Sequence, residues 1–241
     1  MNINEILEQA ESIANQQSPD DAARFLAEHR KTACDNLQND HAQIGNLLQI
    51  VTAQIRYLNQ AGFFDKASGI AEWFLHILHH LQENSPDIEW KHLKLALRDS
   101  FSAFFRHYAS SLAHLDRIED MRIAMRQALD LTTMLPMAIV FLIHLYQPLL
   151  NRETLENQPS RQWILDRYAE CLALLDFAGL HDTPFRTALD LFQLAIRNPQ
   201  QASSLIEQVE QITQSAPNDI ALETLKNMLL HTEALPHKAS Q

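Results

Sequence analysis

The chain has 241 residues, a formal net charge of −11 and only 4 glycines. Average usage would give roughly 17 glycines, and the four present match neither phosphate-binding spacing, G-x-G-x-x-G or G-x-x-x-x-G-K-[ST]. This pattern disfavours ordinary nucleotide-binding α/β folds, and also hairpin-rich β folds, whose tight turns need glycine. The acidic balance argues against partners such as nucleic acid or an anionic membrane surface, because binding to either depends on Lys and Arg.

Apolar residues recur at spacings of three and four throughout the chain, which predicts an all-α protein. Ser18 followed by Pro19 is typical of a helix start, with Ser18 as the N-cap and Pro19 as the first helical residue. The pattern predicts about eleven helices, at approximately 3–13, 19–37, 40–59, 65–83, 85–113, 116–132, 136–151, 161–177, 184–197, 199–215 and 218–232.

The connections between these helices are short, so successive helices are expected to pack antiparallel within a single domain over 1–241. The polar segment 151–160 is the longest candidate linker and a possible subdomain boundary. The sequence shows no signal peptide and no apolar run of membrane-spanning length, so a cytoplasmic location is expected. Cys34 and Cys171 are interpreted as buried thiols. Gly45 and Gly69, inside predicted helices, are expected at close contacts between helices.

Two segments have the pattern of a chain reversal between paired helices. In the first, residues 60–67, Gly62 reverses the chain, Phe64 fills the angle between two helices, and the small Ala67 allows their close approach. The second is residues 105–131, with its turn at Asp116, and a weaker echo ends at Gly179. These segments resemble the tetratricopeptide repeat (TPR), which has glycine where the second segment has Asp116. The turns are spaced more widely than the repeat's period of 34 residues, so the resemblance is to a degenerate repeat covering about 45–230.

The resemblance implies antiparallel helical hairpins stacked as a TPR-like right-handed α-solenoid. Its concave groove would bind a protein or peptide partner, without catalysis and without a cofactor. Carrying over the groove positions of the repeat gives seven partner-binding candidates: Gln49, Thr52, Arg56, Asn59, Arg106, Ser110 and His114. Arginine can grip a carboxylate through two hydrogen bonds, and asparagine can pair with a peptide backbone.

Two alternatives remain open from the sequence. The first is a helical metal-binding protein, because Glu72, His76 and His80 are spaced four apart on one helix and His92 follows on the next. A complete ligand set is not readable from the sequence, and neither is a nucleophile motif, so catalytic residues are not expected. The second alternative is a chaperone-type or immunity-type protein that masks the surface of its partner. It would share the fold and differ only in the partner.

Overall fold

A computed structural model describes residues 2–35, 37, 40–84, 89–151 and 161–230. Most of these residues are helical and none lies in a strand, which confirms the predicted all-α class for the described part of the chain. The helices are α1 (Ile3–Gln16), α2 (Pro19–Asp35), α3 (His41–Gln60), α4 (Phe64–Asn84), α5 (Trp90–Ala96), α6 (Arg98–His114), α7 (Ile118–Leu131), α8 (Leu135–Asn151), α9 (Arg161–Phe177), α10 (Pro184–Arg197), α11 (Ala202–Ser215) and α12 (Ile220–Leu230), with a short 3₁₀ turn at Pro199–Gln201. No helix in the described ranges has both the length and the apolar character that a membrane crossing requires.

Helix starts follow the capping residues of the sequence. The backbone N–H of Asp21 donates to Ser18 Oγ at 3.1 Å, so Ser18 caps α2 as predicted. Thr183 does the same for α10, accepting from the N–H of Arg186 at 3.3 Å. Each cap satisfies an N–H group that has no partner inside the first helical turn.

One predicted helix, 85–113, is wrong in its extent, because the described part contains two helices there, α5 and α6. The break is at Leu97, whose backbone has φ −106° and ψ 17°. The Leu97 side chain packs with Ile44 and Leu93, and it lies 3.4 Å from the position that a Cβ on Gly45 would occupy. Apolar residues continue at four-residue intervals through the break, from Leu93 to Phe101, so the spacing of the sequence carries no sign of it.

Three helix reversals share one backbone geometry. Gly62, Asp116 and Gly179 all have positive φ, at 79°, 55° and 75°. At each reversal the N–H that follows donates back to a carbonyl five residues earlier, at 2.8 to 3.0 Å: Phe63 to Leu58, Arg117 to Leu112, and Leu180 to Leu175. This is the Schellman C-cap, which favours glycine because a Cβ is strained at positive φ. The expectation for Gly62 is confirmed, and Asp116 takes the conformation that glycine has at the other two.

Contacts divide the chain into two units, Met1–Thr133 and Met134–Gln241. In the first unit α3 packs against α1, α2, α4 and α6, and α6 also packs against α4, α5 and α7. Fully buried side chains such as Leu26, Leu48, Ile55, Phe74 and Phe104 form its core. The predicted linker at 151–160 lies, apart from Asn151, outside the described residues.

In the second unit α10 packs against α9, α11 and α12, and α8 packs against α9 and α12. The first and last helices of this unit are therefore in contact, and Gln147 Nε2 donates to the Met228 carbonyl at 3.1 Å. The rings of Tyr168 and Phe192 meet edge to face in the core, with centroids 5.7 Å apart. Cys171 is also buried there, and burial raises the pKa of its thiol to about 12.

Two expectations of close packing are corrected. Cys34 is only partly buried, so the prediction of two buried thiols is wrong for this residue. A Cβ added at Gly69 would meet nothing within 4 Å, so this glycine does not mark a close helix contact. Gly45 does lie against a neighbouring side chain, that of Leu97. Ala67 is fully buried, as its place in the turn motif predicts.

Candidate functional site

A cleft of about 520 Å³ lies among α1, α3 and α6 of the first unit, and we call it the α1–α3–α6 cleft. Its lining residues are Leu7, Glu11, Gln49, Thr52, Ala53, Arg56, Ser100, Ala103 and His107. On α3 and α6 these positions recur at three-residue and four-residue intervals, so each helix presents one face to the cleft. Three of the seven predicted groove residues, Gln49, Thr52 and Arg56, therefore share one cleft.

Arg56 is held by its sequence neighbour. Its Nη2 donates to the hydroxyl of Tyr57 at 2.7 Å, and its guanidinium carbon is 4.6 Å from the centroid of the Tyr57 ring. Its Nε is buried and has no hydrogen-bond partner among the described residues. Burying an unpaired donor is costly, so Arg56 retains a donor that a bound carbonyl or carboxylate oxygen would satisfy.

Thr52 and Gln49 lie along the same face of α3 as Arg56. The Thr52 hydroxyl donates to the Leu48 carbonyl at 2.7 Å, which leaves its oxygen as an acceptor toward the cleft. Gln49 is partly buried and carries both a donor and an acceptor. This face thus offers the mixture of groups that pairs with peptide N–H and C=O groups.

His107, on α6, contributes a neutral polar group to the cleft. Burial, and to a smaller extent the nearby cations Arg106 and Arg56, together lower the pKa of its imidazole to about 4. At neutral pH the ring is therefore uncharged and has one donor and one acceptor nitrogen. The positive charge near this wall belongs to the two arginines. Arg106 itself is half-buried, and burial lowers the pKa of its guanidinium.

The remaining predicted groove residues have other contacts. Asn59 joins α3 to α6, because its Nδ2 donates to the His107 carbonyl at 2.8 Å and its Oδ1 accepts from the Ser111 hydroxyl at 2.8 Å. His114 stacks on Phe64, with ring centroids 3.9 Å apart, and its Nδ1 is 2.8 Å from the Ser110 carbonyl oxygen. Neither Asn59, Arg106, Ser110 nor His114 is among the residues that line the cleft.

The alternative metal set is not brought together. Glu72 Oε1 is 2.5 Å from Arg117 Nη1 and also accepts from Ser68 and Tyr108; the hydrogen bond from Arg117 lowers the pKa of the Glu72 carboxyl. His76 and His80 are exposed, and His92 contacts Glu89. Over the described ranges, no three His, Cys, Asp or Glu side chains are grouped to hold a metal ion.

The lining residues that α1 and α6 contribute to the cleft were not predicted from the sequence. Leu7 and Glu11 come from a helix that the repeat resemblance did not cover. Ser100, Ala103 and His107 recur at three and four residues, and this spacing on α6 was a readable sign of a second lining face. Comparisons with known proteins add no assignment, since no family model, curated protein or solved structure matches the chain.

Proposed function

We propose that this chain is a non-enzymatic, TPR-like scaffold that binds a protein or peptide segment in the α1–α3–α6 cleft. The observation that supports the proposal is that Gln49, Thr52 and Arg56 line the same cleft, where a buried donor of Arg56 has no partner in the described part of the chain. A bound peptide would supply hydrogen-bond partners for these side chains, because it presents alternating N–H and C=O groups at regular spacing.

The order of helix contacts in the first unit supports the repeat architecture. The hairpins α1–α2, α3–α4 and α6–α7 follow one another, and the first helices of successive hairpins, α1, α3 and α6, are neighbours. The second helices α2 and α4 each pack against the first helix of the next hairpin. In stacked helical hairpins this order lines one extended surface with the first helices, and α1, α3 and α6 are the helices that line the cleft.

The shared reversal at Gly62 and Asp116 is a further support, since both hairpins of the TPR-like segments turn with the same cap. Leu7 on one side and the small Ala53 and Ala103 on the other leave space for an apolar side chain beside the polar row. The ligand that fits is therefore an extended segment with backbone groups on α3 and at least one apolar side chain.

The test is a selection of peptides from a displayed random library against the full chain, followed by affinity measurements on the enriched sequences. Arg56→Glu is expected to weaken binding at least about tenfold, because it removes charge-assisted hydrogen bonds and adds repulsion. Arg56→Glu with Arg106→Glu is expected to weaken it further, with helical content unchanged by circular dichroism. Ala103→Leu, which fills the cleft without changing charge, is expected to block it.

Lys91→Glu is the matched control, because Lys91 is exposed on α5 and does not line the cleft. It changes the net charge as much as Arg56→Glu does and should leave affinity unchanged. Equal binding to wild type and to Ala103→Leu would contradict the proposal, and so would a selection that enriches no sequence.

A further inference from the structure

A second cleft lies among α2, α3 and α4 and has a volume of about 410 Å³. We call it the α2–α3–α4 cleft, and it shares no lining residue with the first. It is lined by Asp20, Ala23, Arg24, Ala27, Arg30, Gln54, Leu58, Lys66, Gly69, Ile70 and Trp73. Ligand pockets for small molecules have volumes of roughly 300–1,000 Å³, so this cleft has the size of a small-molecule site.

Gln54 is a buried polar side chain in this cleft, and only part of its hydrogen-bonding capacity is used by the described residues. It is 3 % exposed, and its Nε2 donates to the Ala23 carbonyl at 3.1 Å. Its Oε1 is buried and has no partner among the described residues. Buried polar atoms are almost always paired because an unpaired one is costly, so Gln54 Oε1 calls for a hydrogen-bond donor that the described residues do not supply.

The same cleft is positively charged in an acidic protein. It contains three cations, Arg24, Arg30 and Lys66, and one carboxylate, Asp20, which is already paired with Arg24. Neither Arg30 nor Lys66 forms an ion pair with a carboxylate of the described residues. The charge that the described carboxylates leave uncompensated in this cleft is therefore positive, and such a charge beside apolar walls concentrates ligands of the opposite sign.

Arg30 is fixed in place within the cleft. Its guanidinium carbon is 4.7 Å from the centroid of the Trp73 ring, and its Nε is buried without a hydrogen-bond partner among the residues that the structure describes. Burial lowers the pKa of this guanidinium, which means that its charge is incompletely solvated. An anion bound here would both compensate that charge and pair the free Nε.

The other residues that line the cleft are apolar and leave open space beside them. Leu58, Ile70 and the ring of Trp73 face the cleft together with two alanines, and Gly69 has open space where a side chain would begin. This combination selects a ligand that has an apolar body between its two polar ends.

From these observations we propose that the α2–α3–α4 cleft binds a small organic anion that has an apolar body and one hydrogen-bond donor. The anionic group pairs with Arg30 and Lys66, the donor bonds to Gln54 Oε1, and the body packs against Leu58 and Ile70. This site is separate from the peptide groove proposed above and does not depend on it.

Three related probes separate the two polar contacts. 4-Hydroxyphenylacetate has both the carboxylate and the donor, phenylacetate lacks the donor, and 4-hydroxyphenylethanol lacks the charge. Binding to the full chain is followed by the fluorescence of Trp73, with Trp73→Phe identifying the signal from this cleft, and by ligand-observed NMR. We expect 4-hydroxyphenylacetate to bind about tenfold more tightly than either of the other two, since each lost contact is a hydrogen bond or a charge pair.

Variants then assign each contact to a residue. In Gln54→Met the preference for 4-hydroxyphenylacetate over phenylacetate should disappear. In Arg30→Gln the preference over 4-hydroxyphenylethanol should decrease, because Lys66 remains. Gly69→Leu fills the open part of the cleft and should abolish binding of all three probes while the helix stays folded. Lys91→Gln, at an exposed position outside both clefts, is the control and should bind as wild type does.

The proposal is overturned if none of the carboxylate probes binds at millimolar concentration. It is also overturned if Gly69→Leu binds the probes as tightly as wild type, or if Gln54→Met and Arg30→Gln keep both preferences at the wild-type level. Because Gly69→Leu replaces a helical glycine with a better helix former, a loss of binding in this variant would not be explained by unfolding. Peptide binding in the α1–α3–α6 cleft should be unaffected by Gly69→Leu. The test of one proposal therefore does not decide the other.

Discussion

Polar residues on one face of a helix in the first unit differ in whether the protein itself supplies their hydrogen-bond partners. On α3, Asn59 uses both ends of its amide to join α3 to α6, whereas Arg56, three residues earlier, has a buried donor that no described residue pairs with. Asn59 and Arg56 differ in the hydrogen-bond partners that surround them. Both are polar residues at helical spacing, and only the position of α6 determines that one is satisfied within the protein and the other is not.

The low pKa of His107 predicts a pH dependence of stability. Its pKa is about 4 in the folded protein and about 6.5 in an unfolded chain, so between these values the unfolded state binds a proton that the folded state does not. The free energy of unfolding should therefore fall as the pH decreases from about 6.5 to about 4, by on the order of 3 kcal/mol from this group. Denaturant unfolding across that pH range measures the slope.

His107→Gln removes the titrating ring and should flatten this slope, whatever its effect on stability at neutral pH. His76→Gln, at an exposed position of α4, is the control and should keep the slope of the wild type. An unchanged slope in His107→Gln would show that other groups cause the acid sensitivity.

At the scale of the elements, glycine is favoured at chain reversals and unfavourable in helix interiors. Gly62 has φ 79° and ends α3, whereas Gly69 lies inside α4 with open space beside it. A Cβ is strained in the first position and unstrained in the second. Asp116 adopts the reversal conformation without being glycine, since aspartate is one of the residues that tolerate the left-handed region.

The same substitution at these two glycines should therefore have opposite effects. Gly62→Ala is expected to lower the free energy of unfolding by about 1 kcal/mol, because alanine at positive φ is strained. Gly69→Ala is expected to raise it by about 0.5 to 1 kcal/mol, because alanine loses less backbone entropy in a helix. Urea unfolding of both variants against wild type tests the pair, and a change of the same sign in both would contradict it.

At the scale of the whole molecule, the chain divides into two compact units, each of which contains buried apolar side chains. The last residue of the first unit is tied back to that unit, because Asp99 Oδ1 accepts from the backbone N–H of Thr133 at 2.9 Å and from its hydroxyl at 2.8 Å. These hydrogen bonds also lower the pKa of the Asp99 carboxyl. The first unit is thus closed at its C-terminal end by its own residues.

A fragment of residues 1–133 should consequently fold by itself. We expect it to show helical circular dichroism and a cooperative thermal transition, since domains with their own core fold independently. A matched fragment ending at residue 131 lacks Thr133 and should be less stable. A fragment of 1–133 without a cooperative transition would contradict the division into two units.

The sequence by itself determined the helical class, most helix ends and the reversals, because each depends on local rules. Apolar spacing predicts helices, Ser18 and Thr183 satisfy N–H groups of their own first turns, and Gly62 supplies a backbone conformation that other residues disfavour. Gln49, Thr52 and Arg56, which lie on one face of one helix, were selected by the resemblance to the repeat.

Only the tertiary structure decided which neighbours each helix face contacts. Several features depend on residues far apart in the chain: the break at Leu97, the hydrogen bonds of Asn59 between α3 and α6, the contribution of α1 to the cleft, and the lack of a described partner for Gln54 Oε1. Helical periodicity repeats within a few residues and is the same whether a face contacts a neighbouring helix, a ligand or water. The distinction between a packed face and a binding face is therefore made by the packing of helices that are distant in sequence.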